Sequence, residues 1–160
     1  MNNVSILGHA TNEKSPAFIF LKKHPKKWNI VFINNPTEPL PKWVNLLAKD
    51  VLHLQFDDIV FEGKKLLKAP SKEDISKALE WTKSKDNVLF SCHAGVSRSS
   101  AMAYVCACQE FHHEDAIKML IPMEHYPNYR IVTLGSEILK NKDMLEAFKQ
   151  WLEKNEDNEI

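Results

Sequence analysis

Among the 160 residues, one short stretch has the side chains to do covalent chemistry: Phe90-Ser91-Cys92-His93-Ala94-Gly95-Val96-Ser97-Arg98-Ser99-Ser100. Cys92 offers a nucleophile. Gly95 permits a backbone turn that a Cβ would hinder. Arg98 carries a planar fork that can hold two oxygens of a phosphate at once, as a lysine cannot. The spacing gains weight from the composition. Basic residues number 21, and only Arg98 and Arg130 are arginines; glycines number four and cysteines three. A glycine three places and an arginine six places after a cysteine arises by chance on the order of once in a thousand such chains.

The flanks tell what holds this stretch. Val88-Leu89-Phe90 is wholly apolar, as a buried central strand is. Ser99 to Gln109 is almost entirely small or apolar, the pattern of a helix buried all round. A loop between such a strand and such a helix can turn its N–H groups toward one centre, and the helix adds its unpaired N-terminal donors and the positive end of its dipole. That is a cradle for a phosphate-sized dianion, and it favours the thiolate of a cysteine at its rim.

Further out, Asn29 to Ile33 and Val51 to Phe56 read as strands, and the residues before Asn29 as short extended runs. Trp43 to Ala48 reads as a short helix. Ser71 and Asp74 form a capping pattern ahead of an amphipathic helix over Lys72 to Lys83. Glu114–Leu120, Asn128–Leu139 and Asp143–Leu152 follow as helices. Strands alternating with helices predict an α/β domain: a mostly parallel sheet of about four to five strands, flanked by helices, over residues 1–155, with an acidic tail at 156–160.

Composition narrows the function classes. Acidic and basic residues balance at 21 each, so no whole-molecule field points to nucleic acid or an acidic membrane. No apolar run has the length of a membrane helix, and the first ten residues lack the build of a secretory signal. Three cysteines make no disulfide framework, so a reducing, cytoplasmic setting is expected. Cys106 and Cys108 sit on the apolar helix and read as core. Lys22, Lys23, Lys26 and Lys27 read as a solvated face, and the four tryptophans as core or groove anchors. His112-His113, His53 and His125 complete no metal set, since adjacent histidines on a helix point apart; neither a metal nor another cofactor is expected.

Cys-x-x-Gly-x-x-Arg-Ser resembles the active-site motif of the cysteine-based protein tyrosine phosphatase superfamily. Ala94-Gly95-Val96-Ser97-Arg98-Ser99 resembles its dual-specificity branch. Leu52 to Ile59 resembles the strand and loop that carry the general acid there, and Pro127-Asn128-Tyr129-Arg130 is similar to a segment of compact bacterial-type members. The resemblance covers about Val51 to Leu139. It implies Cys92 as nucleophile, Arg98 as phosphate clamp, His93, Ala94, Gly95, Val96 and Ser97 as the phosphate-binding loop, and Ser99 as the hydroxyl that eases release of the phosphocysteine. Asp57 and Asp58 both lie at the general acid's distance. Strand alternation groups Asp58 with Leu54 and Phe56, and Asp58 is favoured. One departure stands out: the family usually has His before the nucleophile, and here it is Ser91.

The resemblance implies hydrolysis of phosphomonoesters on proteins, phosphotyrosine foremost and phosphoserine or phosphothreonine besides, without a metal. The loop interior lacks the lysines that phosphoinositide phosphatases of the superfamily tend to carry. Two alternatives remain: a non-catalytic phosphate-binding pseudophosphatase, and a rhodanese- or arsenate-reductase-like cysteine enzyme. The oligomeric state is not legible.

Overall fold

The computed structural model describes residues 1–63 and 65–156. Among the described residues four strands form one sheet: β1 (Asn3–Gly8), β2 (Asn29–Asn34), β3 (Val51–Gln55) and β4 (Asn87–Cys92). Their order is β1-β4-β2-β3, and every pairing is parallel. Parallel neighbours need crossovers, and among the described residues seven α-helices supply or extend them: α1 (Pro16–Lys23), α2 (Lys42–Leu47), α3 (Lys72–Thr82), α4 (Arg98–Glu110), α5 (His113–Ala116), α6 (Tyr129–Leu139) and α7 (Lys142–Glu156). The expected α/β class and parallel sheet are found.

The sheet is covered on both faces, which is why β2 and β4 read as continuous apolar runs. Alternation divides β2 between the two cores. Ile30 and Phe32 pack with Leu21 of α1 and with Trp43 and Val44 of α2. Val31 and Ile33 face the larger core with Ile75, Met102, Ile131 and Phe148. Helix α4 runs through that larger core, and every residue from Arg98 to Cys108 is buried. Cys106 and Cys108 are core residues, and burial pushes both thiols up to about 12. Among the described residues no helix is long and apolar enough to cross a membrane.

Three local expectations change. The chain before Asn29 is not extended throughout. Ser15 Oγ accepts from the Phe18 N–H and Pro16 stands at the first helical position, so 16–23 is a helix despite its Phe-Ile-Phe core. The predicted helix at Glu114–Leu120 is shorter, a single α turn followed by a 3-10 turn at Ile117–Met119. The rings of His112 and His113 do not point apart but lie 4.1 Å from each other, because His112 caps α5 in an extended conformation (φ −62°, ψ 144°). With Glu114 they form a surface group whose ligand atoms lie within 4.8 Å of one another. The capping box at Ser71 and Asp74 forms as expected. Of the expected tail, Glu156 closes α7, and 157–160 lie outside the described residues.

Candidate active site

The cradle is built at the C-terminal end of β4, between β4 and α4. Its shape follows from where the loop's carbonyls go. On one rim the backbone N–H of His9 is shared between the carbonyls of Cys92 and His93, 3.1 Å from each, and the Ala10 N–H reaches His93 O at 2.9 Å. On the other rim the Tyr126 N–H donates to Val96 O at 2.9 Å and the Asn128 N–H to Ser97 O at 3.1 Å. In a trans peptide the carbonyl and the following N–H point in opposite directions. Carbonyls tied outward at 92, 93, 96 and 97 therefore turn the N–H groups of 93, 94, 97 and 98 inward. Gly95 makes the turn at φ +72°, where a side chain is strained.

Cys92 sits at the base, 2% exposed, with its Sγ 3.0 Å from Ser99 Oγ. Arg98 is the first residue of α4, and its guanidinium is held from behind. Nη1 donates to Asn35 Oδ1 at 2.7 Å and to the Phe56 carbonyl at 2.9 Å. Among the described residues Nε and Nη2 have no partner, and those two donors form the edge that matches two oxygens of an anion. His93 and Ala94 are exposed, Gly95 is buried, and Val96 and Ser97 are half-buried.

The two aspartates separate cleanly. Asp57 closes its own loop: its N–H donates to Lys68 O, and its Oδ2 accepts from the Lys68 N–H, both at 2.7 Å. Asp58 lies against the cradle. Its Oδ1 accepts from Ser97 Oγ and from Asn128 Nδ2, both at 2.8 Å, and among the described residues Oδ2 has no hydrogen-bond partner. Asn128 is also the N-cap of α6, its Oδ1 accepting from the Ile131 N–H. Arg130, the other arginine, bonds Pro70 O and Glu62, tying those two residues to α6.

Sequence reasoning missed the contribution of β1. Gly8 pairs with Cys92 in register, and His9 beyond it places Nδ1 2.9 Å from Ser91 Oγ. The His9 ring stacks on Phe32 at 3.9 Å. Asn35, just past the end of β2, gave no sequence signal of its place behind Arg98. A groove of about 310 Å³, lined by residues including His9, Asn12, Phe32, Glu38 and His93, flanks this side of the loop. A cleft of about 870 Å³ lies elsewhere, between α6 and α7, where Glu137, Lys140, Glu146 and Lys149 mix their charges and no residue of 92–98 takes part.

The fold is that of the tyrosine and dual-specificity phosphatases. A human tyrosine phosphatase-like serine/threonine/tyrosine-interacting protein superposes with a TM-score of 0.58 at 20% identity, over 82% of this chain and 86% of that one. The Cydia pomonella PTP-2 phosphatase gives 0.55 at 19% identity, covering 84% of each chain. PTPMT1 in complex with PI(5)P gives 0.53 at 15% identity, over 90% and 93%. No protein-family model matches the sequence, and no curated protein does. At these identities the likeness is one of fold, so the chemistry rests on this chain's own residues.

Proposed function

We propose that this protein is a phosphatase that hydrolyses phosphomonoesters on proteins, phosphotyrosine foremost, through a phosphocysteine at Cys92. The observation that carries the reading is the convergence at one loop: Cys92 Sγ against Ser99 Oγ, Arg98 with two donors open, and Asp58 against Ser97. The Cys92 thiolate attacks phosphorus in line, forming the S–P bond as the P–O bond to the leaving group breaks. Asp58 gives its proton to the leaving oxygen, with Oδ2 as the atom free to carry it. Arg98 and the inward N–H groups hold the three equatorial oxygens as charge spreads over them. Water then attacks, Asp58 takes its proton, and the S–P bond breaks. The Ser99 hydroxyl stabilises the departing thiolate. A reducing compartment, such as the cytoplasm, keeps that thiol usable.

The loop interior has no lysine to pair with the extra phosphates of a lipid headgroup, which favours phosphoproteins. One feature favours a second reading, a loop that binds phosphate without turning it over: Asp58 Oδ1 is already engaged by two donors, Ser97 Oγ and Asn128 Nδ2, which tie the side chain to the loop.

The test is turnover of p-nitrophenyl phosphate with EDTA present, for wild type, Cys92→Ser and Asp58→Asn, followed by phosphotyrosyl, phosphoseryl and phosphoinositide substrates. Metal-free turnover that vanishes in Cys92→Ser and falls about a hundredfold or more in Asp58→Asn is expected. No turnover between about pH 5 and 8, where thiolate and carboxylic acid can coexist, would overturn the enzyme reading. Phosphate binding retained equally by wild type and Cys92→Ser would then establish the second one.

A further inference from the structure

Ser91, one residue before the nucleophile, is a fully buried hydroxyl. A hydroxyl removed from water needs a partner, and this one finds it 82 residues away in the chain, at His9 Nδ1. His9 is itself 8% exposed and stacks on Phe32 with the ring planes 16° apart. Its backbone N–H bonds the carbonyls of Cys92 and His93. One residue therefore holds both sides of the nucleophile, the preceding residue by its ring and the nucleophile's own carbonyl by its backbone.

The strand that delivers His9 cannot move independently of the loop. Gly8 lies so close that a Cβ on it would meet Ala94 C and O at 2.8 Å, and one on Gly95 would collide with Gly8 N. A ring stacked at 3.9 Å on a buried phenylalanine has little freedom of its own. The groups facing the imidazole are His93 from the loop, Arg98 from α4, His53 from β3 and Glu38 from the β2–α2 connection. Burial first, and then the neighbouring His93, Arg98 and His53, push its pKa down to about 3. The ring is therefore neutral across the working range.

We propose that His9 is a positioning residue for the nucleophile: through Ser91 and its own backbone N–H it fixes the strand end that carries Cys92. The proposal rests on the phosphatase reading for its kinetic consequence, not for its geometry. Losing the ring frees Ser91 Oγ and lets the end of β4 sample positions in which Sγ is out of line with phosphorus. Misplaced attack lowers kcat, whereas phosphate binding by Arg98 and the loop N–H groups persists, so KM holds.

The experiment uses the full chain as wild type, His9→Ala, His9→Asn, Ser91→Ala and the double variant His9→Ala/Ser91→Ala. Three readouts are taken: kcat and KM on p-nitrophenyl phosphate, the rate of Cys92 alkylation by iodoacetamide at fixed pH, and thermal unfolding. His9→Ala is expected to lose about tenfold in kcat with KM within about twofold, and to alkylate more slowly. Asn sets an amide where Nδ1 stood, so His9→Asn recovers most of the loss. Ser91→Ala shows a similar loss, and the double variant is no worse than either single one, because both remove the same bond. A merely structural role would lower the unfolding temperature without this rescue or this coupling. Full kcat in His9→Ala, failure of Asn to restore it, or additive losses in the double variant would each overturn the proposal. If wild type shows no turnover, the phosphatase reading falls alone. The alkylation rates then decide His9, with equal rates in wild type, His9→Ala and Ser91→Ala counting against it.

Discussion

A single methyl group placed in β1 is expected to disable the loop that sits across from it. In Gly8→Ala the new Cβ would lie 2.8 Å from both C and O of Ala94 and 3.0 Å from His93 O. Ordinary contact between such atoms begins near 3.5 Å, so the overlap is about 0.5–0.7 Å. The atoms met are backbone, and no rotamer change relieves them. Either β1 backs away from β4, breaking the Leu7↔Ser91 and Gly8↔Cys92 register, or the loop moves outward by a similar distance. Overpacking of this kind costs about 1–3 kcal/mol. For a chain of this length that lowers the unfolding temperature by roughly 2–12 °C. A misplacement of about half an ångström to one ångström at the reacting centre costs on the order of ten- to a hundredfold in kcat. Thermal unfolding by circular dichroism and turnover of p-nitrophenyl phosphate, measured on the same preparation, read both effects. Gly8→Ala with wild-type kcat and wild-type unfolding temperature would show that the β1 contact does not hold the loop, and the reasoning would fail.

Three further outcomes follow from the geometry. Asn35→Ala removes one of the two anchors behind Arg98 and leaves the Phe56 carbonyl, so the inhibition constant for inorganic phosphate should rise about fivefold; an unchanged constant would mean the guanidinium needs no such support. With Cys106 and Cys108 pushed up to about 12 by burial, native protein at pH 8 should take up one alkyl group by mass spectrometry, and unfolded protein three. His9 binds a proton at 6.5 when unfolded but only near 3 when folded, so between those values the unfolded state holds more protons. Stability therefore falls as pH drops from about 6.5 toward 3, and urea titrations at stepped pH should show a shallower decline in His9→Asn.

The loop at 92–98 was legible as an anion cradle because its information is local. Cys92, Gly95 and Arg98 sit within seven consecutive residues, bracketed by an apolar strand and an apolar helix, and alternation together with the family resemblance favours Asp58 over Asp57 as the proposed acid. What supports the loop was not legible, because it comes from chain-distant pairings that no periodicity encodes. In Asn3–Gly8 the first residue is exposed and Val4 to Gly8 are all half-buried, with no alternation, and nothing in the strand announces that its partner is β4 rather than β2. His9 looks like any isolated histidine until the fold sets it beside Ser91. Asn35 reads as turn chemistry, and its amide oxygen is in fact the seat of Arg98. The first helix was misread because Phe-Ile-Phe suits a strand, while the decisive signal was the Ser15-Pro16 start.

The sheet order sets a timetable for synthesis. β2 and β3 are close in sequence and can pair early, but β1 pairs only with β4, and Asn3 must wait for Asn87. At roughly 5–20 residues per second, a translating ribosome leaves that first strand without its neighbour for on the order of 4–17 s. Through that interval an unpaired edge is open to other nascent chains, and early chaperone contact should concentrate on it. Because the strand that arrives last in the sheet is also the one that grips the loop, competence to react should be the final property a newly made chain acquires.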